Sequence, residues 1–305
     1  MKLPARITAL VALVFTLLPA LIPSNGRLAA AEPFFFIQLS DPQMGMFTDN
    51  ADFTQDAANF EFAVTAINRL RPAFVVITGD LVNKGGDAAQ IAEFRRIVGK
   101  IDASIPVHAM PGNHDVANVP TPATIEAYVK ILGPDHYTFH HGGLTGLVLN
   151  STVIHTPTHA SDQLAEQDRW LRAELARAKA EGARLLVVFQ HHPWFIKTAD
   201  EPDQYFNIPL ARRAPLLALF HESGERYLFS GHYHRNAEAA DGDLAVITTG
   251  AVGKPMGGSK SGMRIAIVRD EKIDHRFYEL GDLPTRIELN PPAAKKDASK
   301  KTPPQ

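Results

Sequence analysis

Cysteine is absent from all 305 residues. Disulfides, thiolate metal sites, a cysteine nucleophile and a lipid-modified N-terminal cysteine are excluded together. A strong charge of one sign is missing too, the formal net charge being −2. Neither nucleic acid nor an anionic lipid surface is indicated. Internal repeats and linker-like breaks are lacking, so nothing divides the interior into separate domains. Long hydrophobic runs are scarce. The one example, 7–23, follows Lys2 and Arg6 and precedes Ala29-Ala30-Ala31. This predicts a secretory signal peptide over 1–31, cleaved before Glu32, with export to the periplasm or exterior and no membrane span in the mature form. The alternative is an uncleaved N-terminal anchor. The Pro-, Lys- and Ala-rich segment 290–305 has no apolar periodicity and reads as a disordered tail. What remains, 32–289, is long enough for one large domain, and 45% hydrophobic with 21% charged residues is globular composition.

Within that domain short apolar runs alternate with longer amphipathic ones. "FFFIQL" (34–39) predicts a buried strand. Over 55–70, Phe60, Ala63, Val64, Ile67 and Leu70 share one helical face. Further strands are predicted at 74–77, 107–110, 136–141, 144–150, 184–190 and 226–230. Helices are predicted at 88–100, 121–132, 162–182 and 215–222, with Thr121 as an N-cap and Pro122 at the first helical position. Strands at 244–249, 263–269 and 272–280 close the domain. Strand–helix alternation followed by consecutive strands predicts a layered α/β fold, two central sheets with helices outside.

Polar residues gather at the C-terminal tips of these strands. Asp41 and Gln43 follow the first, Asp80 and Asn83 the second, and Asn113, His114 and Asp115 the third. Asn150, then His191 and His192, then His232 and His234 follow later ones. Alone, each Asp reads as a turn residue and each His as a structural histidine. Together they occupy the edge where open α/β sheets bind ligands, with Gly79, Gly112 and Gly231 allowing tight turns beside them. The pairs Asp41/Gln43 and His232/His234 share an i, i+2 spacing, which aims both members one way along extended backbone. Carboxylate and amide oxygen with imidazole nitrogen suit divalent metals. Other residues point more weakly. His108, His140 and His141 lie inside strands and read as structural. His155 and His159 are placed at a substrate entrance, and Tyr205, Phe206 and Asn207 along one wall of the cleft.

In order over 34–282 stand Asp41-Pro42-Gln43, Gly79-Asp80, Gly112-Asn113-His114-Asp115, His191-His192-Pro193 and Gly231-His232-Tyr233-His234. This series resembles the motifs of the calcineurin-like metallophosphoesterases. "DPQ", "GNHDVANVPTPATI", "YFNIPL" and "FSGHYHRNA" resemble more closely a subfamily related to a serine/threonine protein phosphatase. The resemblance implies a four-layer αββα sandwich and two divalent metal ions (Mn, Fe, Mg or Zn). One ion would take Asp41, Gln43, Asp80 and His234. The other would take Asp80, Asn113, His191 and His232, with Asp80 shared. His114 matches a general acid and Asp115 the residue orienting it. His192 stands at a variable position and is not counted. Gln43 stands where most of the family has histidine. As a harder, weaker donor it shifts preference from zinc towards manganese, magnesium or iron; the alternative is that it holds a metal-bound water.

The activity implied is hydrolysis of phosphoric esters by a hydroxide shared between the ions, with His114 protonating the leaving oxygen. Phosphomonoesters, phosphoprotein among them, are the leading substrate class. Nucleotide or glycerophosphodiesters are the alternative, and a non-catalytic metal- or phosphate-binding protein is a third reading. Arg235, directly after His234, and Asn150 are expected to bind substrate.

Overall fold

The computed structural model describes residues 32–290. The expected leader over 1–31 and nearly all of the expected tail lie outside the described residues. In chain order the elements are β1 (Phe34–Leu39), α1 (Thr54–Leu70), β2 (Val75–Ile77), α2 (Ala88–Val98), β3 (Val107–Ala109), α3 (Asn113–Val116) and α4 (Pro122–Leu132). The hairpin β4 (Tyr137–His141) and β5 (Leu144–Val148) follows, then α5 (Ser151–His155), α6 (Ser161–Ala180), β6 (Leu185–Phe189), α7 (Leu210–Ser223) and β7 (Tyr227–Ser230). Four strands close the domain: β8 (Ala237–Asp241), β9 (Leu244–Thr248), β10 (Gly262–Arg269) and β11 (Lys272–Glu279).

Two sheets form. The first has the order β11-β10-β1-β2-β3 and the second β4-β5-β6-β7-β9-β8. In the first, β1 to β3 run parallel; in the second, β5, β6, β7 and β9 do. The phase of β1 shows how the layers arise. Phe34 and Phe36 point between the sheets, against Phe189 and Phe229. Phe35, Ile37 and Leu39 point the other way, into the layer with Phe60, Ile67 and Phe94 of α1 and α2. A strand buried on both faces reads as one continuous apolar run. Beyond the second sheet, Leu171 and Leu175 of α6 and Leu216 and Phe220 of α7 pack with Val188 and Leu228. Helix, sheet, sheet, helix is the expected sandwich.

Four elements differ from the sequence expectation: the short helices α3 and α5, which fall where strand tips and a loop were expected, and α7 and β8. α7 begins at Leu210, not at Pro215, so the proline lies inside the helix. The buried Arg213 guanidinium explains this: it donates to the carbonyls of Ala199, Ile208 and Glu201, pinning the extra turn to the preceding loop. That anchoring outweighs the missing proline N–H. β8, with the sequence Ala-Glu-Ala-Ala-Asp, carries little strand propensity of its own. It forms because the turn at Gly242 folds it antiparallel onto β9.

Candidate metal centre

The parallel strands of both sheets end at one edge. The first sheet delivers Asp41 beyond β1, Asp80 beyond β2 and Asn113 beyond β3; the second delivers His191 beyond β6 and His232 and His234 beyond β7. All are buried. Donor atoms of Asp80, His191 and His232 lie within 4.8 Å of one another, as do those of Asp41, Asp80 and His234. Asp80 belongs to both groups. Asn113 Oδ1 is 3.0 Å from His191 Nε2, which joins it to the first group.

The turns that aim these groups are not extended. Asp41, Gln43, Asp80, His232 and His234 all have positive φ, from 39° to 67°. The i, i+2 pairs therefore converge through left-handed turns, correcting the extended-backbone expectation. Such conformations cost about 1 kcal/mol or more apiece, and their concentration at one place marks a functional site. Close approach also explains two glycines. A Cβ on Gly112 would collide with Asp80 Oδ1, and one on Gly231 with Ser40 Oγ.

Each imidazole is held by a backbone carbonyl. His191 Nδ1 is 2.8 Å from the Thr78 oxygen, His232 Nε2 is 3.1 Å from Tyr205, and His234 Nδ1 is 2.5 Å from Lys254. A carbonyl only accepts, so each of these nitrogens carries the proton. The opposite nitrogens face inward and are the ones a cation would take in place of a proton, as in metal sites whose outer partners set the tautomer. His191 Nε2 and His232 Nδ1 then face each other at 3.1 Å.

The oxygen donors show the complementary problem. Asp41 Oδ2 accepts from Ser40 and from the His232 N–H, but the buried Oδ1 has no hydrogen-bond partner, only His234 Nε2 at 3.4 Å. Gln43 Nε2 donates to Asn83 Oδ1, while its buried Oε1 has none. Burial raises the Asp41 carboxyl, with His234 opposing and Asp80 adding to the rise. Burial also pushes Asp80 up, but His191, His114 and His232 hold it below the usual carboxylate range. Burial disfavours a proton on His191, yet the Asp80 charge prevails and lifts it to about 9. The bare cage thus draws positive charge to a point where ring nitrogens and two carboxylates converge. Orphaned oxygens, inward nitrogens and a mixed oxygen and nitrogen donor set all fit divalent cations.

Below the cage a buried polar layer ties the sheets together. Gln38 of β1 donates to Thr78 Oγ1 and to the Ser230 carbonyl, and accepts from Thr249 Oγ1. Arg264 of β10 donates to the same threonine and to Asn236. The ligand-bearing strand ends share this layer, which the sequence pattern did not reveal.

Several expectations change. Asp115 does not orient His114. Its carboxylate accepts from the backbone N–H groups of Leu81, Val82 and Gly112, and burial raises it to about 7. His114 is instead set by Asn83, whose carbonyl lies 2.8 Å from Nδ1, while its backbone N–H donates to Asp80 Oδ1. Asn150 is not available to substrate. It is fully buried, its Oδ1 capping α5 at the Thr152 N–H and its Nδ2 donating to Asp135. Asn207 is buried in the loop with Glu201, away from the expected wall. Tyr205 and Phe206 do flank His232, and Asn113 Nδ2 donates to the Tyr205 hydroxyl. Arg235 lies over the Tyr233 ring, 5.1 Å from its centroid, with a buried, unpartnered Nε. His155 stacks on His192, which packs against His232. His159 is exposed, and His108 stacks on Phe139 between the sheets.

A sequence profile described as Calcineurin-like phosphoesterase matches residues 36–236. The chain belongs to this family. The bovine protein named "Serine/threonine-protein phosphatase CPPED1" is 38% identical over 266 residues, covering 82% of this chain and 85% of the relative. The human protein of that name is 36% identical over 267 residues, with coverage of 82% and 85%. Among solved structures, a dimetal phosphatase from Danio rerio aligns with TM-score 0.54 and 16% identity over 80% of this chain and 98% of that one. The purple acid phosphatase PPD1 of yellow lupin gives TM-score 0.60 and 13% identity, covering 83% and 52%. At such identities the two structures speak for the fold alone. Membership of the calcineurin-like phosphoesterases makes this chain a metal-dependent hydrolase of phosphoric esters. Among the described residues no helix is long and apolar enough to cross a membrane.

Proposed function

We propose that the chain is an exported phosphomonoesterase, with phosphorylated protein side chains among its substrates. The observation that carries this reading is the junction of two donor groups at Asp80, with His114 bonded to Asp80 through its backbone N–H. Asp41, Gln43, Asp80 and His234 hold one divalent cation, and Asp80, Asn113, His191 and His232 the other. Such a pair supplies Lewis acidity towards the phosphoryl oxygens and a water made acidic enough to be a nucleophile at neutral pH.

The chain's own groups do the rest. The Asn83 carbonyl holds the His114 Nδ1–H, so the proton passed to the leaving oxygen is the one the imidazolium carries on Nε2. Arg235, fixed over Tyr233, binds a phosphate oxygen, and the second negative charge of a monoester favours it over a diester. The phosphoprotein part rests on the names of the relatives. Export rests on the sequence of residues 1–31, and N-terminal sequencing of the protein recovered from its cell tests it: a chain still starting at Met1 would refute cleavage.

Hydrolysis of an aryl phosphomonoester, an aryl phosphodiester and a phosphopeptide, with manganese or iron supplied, tests the substrate class. Turnover of the diester alone would reject the monoester reading. His114→Ala is expected to keep its metal content and to lose about 10²–10⁴-fold in turnover. Unchanged turnover would remove His114 from the mechanism.

A further inference from the structure

Glutamine is an awkward metal ligand in one respect. Its carbonyl and amino ends are nearly the same size, and rotation about the last bond exchanges them. One orientation presents a lone pair to a cation; the other presents two N–H dipoles and repels it. A site that relies on Gln43 needs something to choose between the two.

The structure contains such a device. Its origin is a backbone group that cannot be reversed, the Lys84 N–H, which donates to Gln90 Oε1 at 2.9 Å. Gln90 must then point its Nε2 away, and Nε2 donates to Asn50 Oδ1 at 2.8 Å. The same Asn50 oxygen accepts from Asn83 Nδ2, also at 2.8 Å. With its amino group committed, Asn83 presents Oδ1 to Gln43 Nε2 at 3.1 Å. Gln43 Oε1, buried and without any partner, is left as the end that faces inward. Four side-chain amides thus take their sense from one backbone N–H. Space for the chain is provided at Gly45, with φ +104°, where a Cβ would sit 2.7 Å from Gln90 Nε2.

We infer that the Gln90–Asn50–Asn83–Gln43 amide chain is an orientation lock holding the Gln43 carbonyl towards the first cation, with Asn83 its immediate positioning residue. The inference rests on the proposed role of Gln43 as a ligand. Asn83 carries a second duty through a different atom, since its backbone carbonyl sets the His114 proton. One residue therefore orients a ligand of the first cation and the proton-transfer group. Side-chain substitution removes only the former.

Calorimetric titration of chelator-stripped protein with Mn²⁺ separates these statements, with circular dichroism recording folding of each variant. The parent is expected to show two binding events. Asn83→Ala is expected to weaken one of them about tenfold and leave the other unchanged, the size of effect usual for partners behind a metal ligand. Asn83→Asp retains an acceptor for Gln43 Nε2 but sets a carboxylate oxygen against Asn50 Oδ1, and is expected to fall between Asn83→Ala and the parent. Gln43→Ala is expected to weaken the same event, and adding Asn83→Ala to it to cost nothing more. Asn83→Ala indistinguishable from the parent, equal weakening of both events, or full additivity with Gln43→Ala would overturn the lock while leaving the two-cation site intact. Unchanged binding in Gln43→Ala would overturn the ligand and the lock together. A parent that takes up no Mn²⁺ would instead reject the site itself.

Discussion

The two sheets contribute opposite chemistry to the same cage. The first supplies oxygen: Asp41, Asp80 and Asn113, with Gln43 as the proposed fourth donor. The second supplies nitrogen: His191, His232 and His234. The nitrogen half is complete in its outer bonds, each ring fixed by a backbone carbonyl. The oxygen half is not, because Asp41 Oδ1 and Gln43 Oε1 have no hydrogen-bond partner and two carboxylates stand close together. Cations would therefore join the sheets unequally, relieving repulsion on one side and engaging prepared nitrogens on the other.

The comparison is broken most directly at Asp80, the one carboxylate in both donor groups. Asp80→Asn keeps the shape and removes the charge. Loss of both cations is expected by elemental analysis, with turnover down at least about a thousandfold, the upper range for removal of one preorganised electrostatic group. An Asp80→Asn protein that retains two cations per chain would show that the remaining donors hold the pair without the shared charge.

Much of this division was legible in the sequence. Strands buried on both faces announce themselves as unbroken apolar runs, and donors beside glycine at their tips mark the edge. Roles that depend on the partner of a side chain were not legible. Asp115 follows His114, yet its carboxylate faces three backbone N–H groups across the turn. Asn150 stands at a strand tip like the ligands but caps a helix. Asn50 and Gln90 carry no motif at all; only the fold brings them to Asn83 from 33 residues before and 7 after. Local pattern reports which residues reach an edge, whereas hydrogen-bond direction is decided by distant chain.

A buried carboxylate away from the cage sharpens the contrast. Glu225 stands just before β7, at the end opposite His232. It is buried and neither oxygen has a partner. With no convergent donors beside it, burial alone raises it from 4.5 to about 8, so the folded protein keeps the proton. Its contribution to stability is full below about pH 4.5 and is lost as pH rises towards 8, because there the native state binds more protons than the unfolded one. The loss is on the order of 5 kcal/mol. Denaturant unfolding across that range is expected to show this decline in the parent and a flatter profile in Glu225→Gln. Equal slopes in the two proteins would mean that Glu225 finds a partner after all.

The smallest expected effect tests the asymmetry itself. In a chelator, Asp41 and Asp80 stand together with only histidines to offset them, and the Asp80 charge helps to raise Asp41. Asp41→Asn leaves one oxygen to accept from Ser40 and the His232 N–H, and places an amino group near His234 Nε2, which lies 3.4 Å from Asp41 Oδ1. The variant is therefore expected to be more stable than the parent by about 1 kcal/mol without metal, or roughly 2–4 °C in melting temperature for a domain of this size. With Mn²⁺ at a hundredfold excess over Kd the parent gains about 2.7 kcal/mol and the order reverses. His232→Ala, from the nitrogen half, relieves no repulsion between carboxylates. It opens a space beside Tyr205 and His192 and is expected to melt below the parent in both conditions. If Asp41→Asn also melts lower in the chelator, the oxygen half is content without cations, and the two sheets differ in donor type but not in their need for a metal.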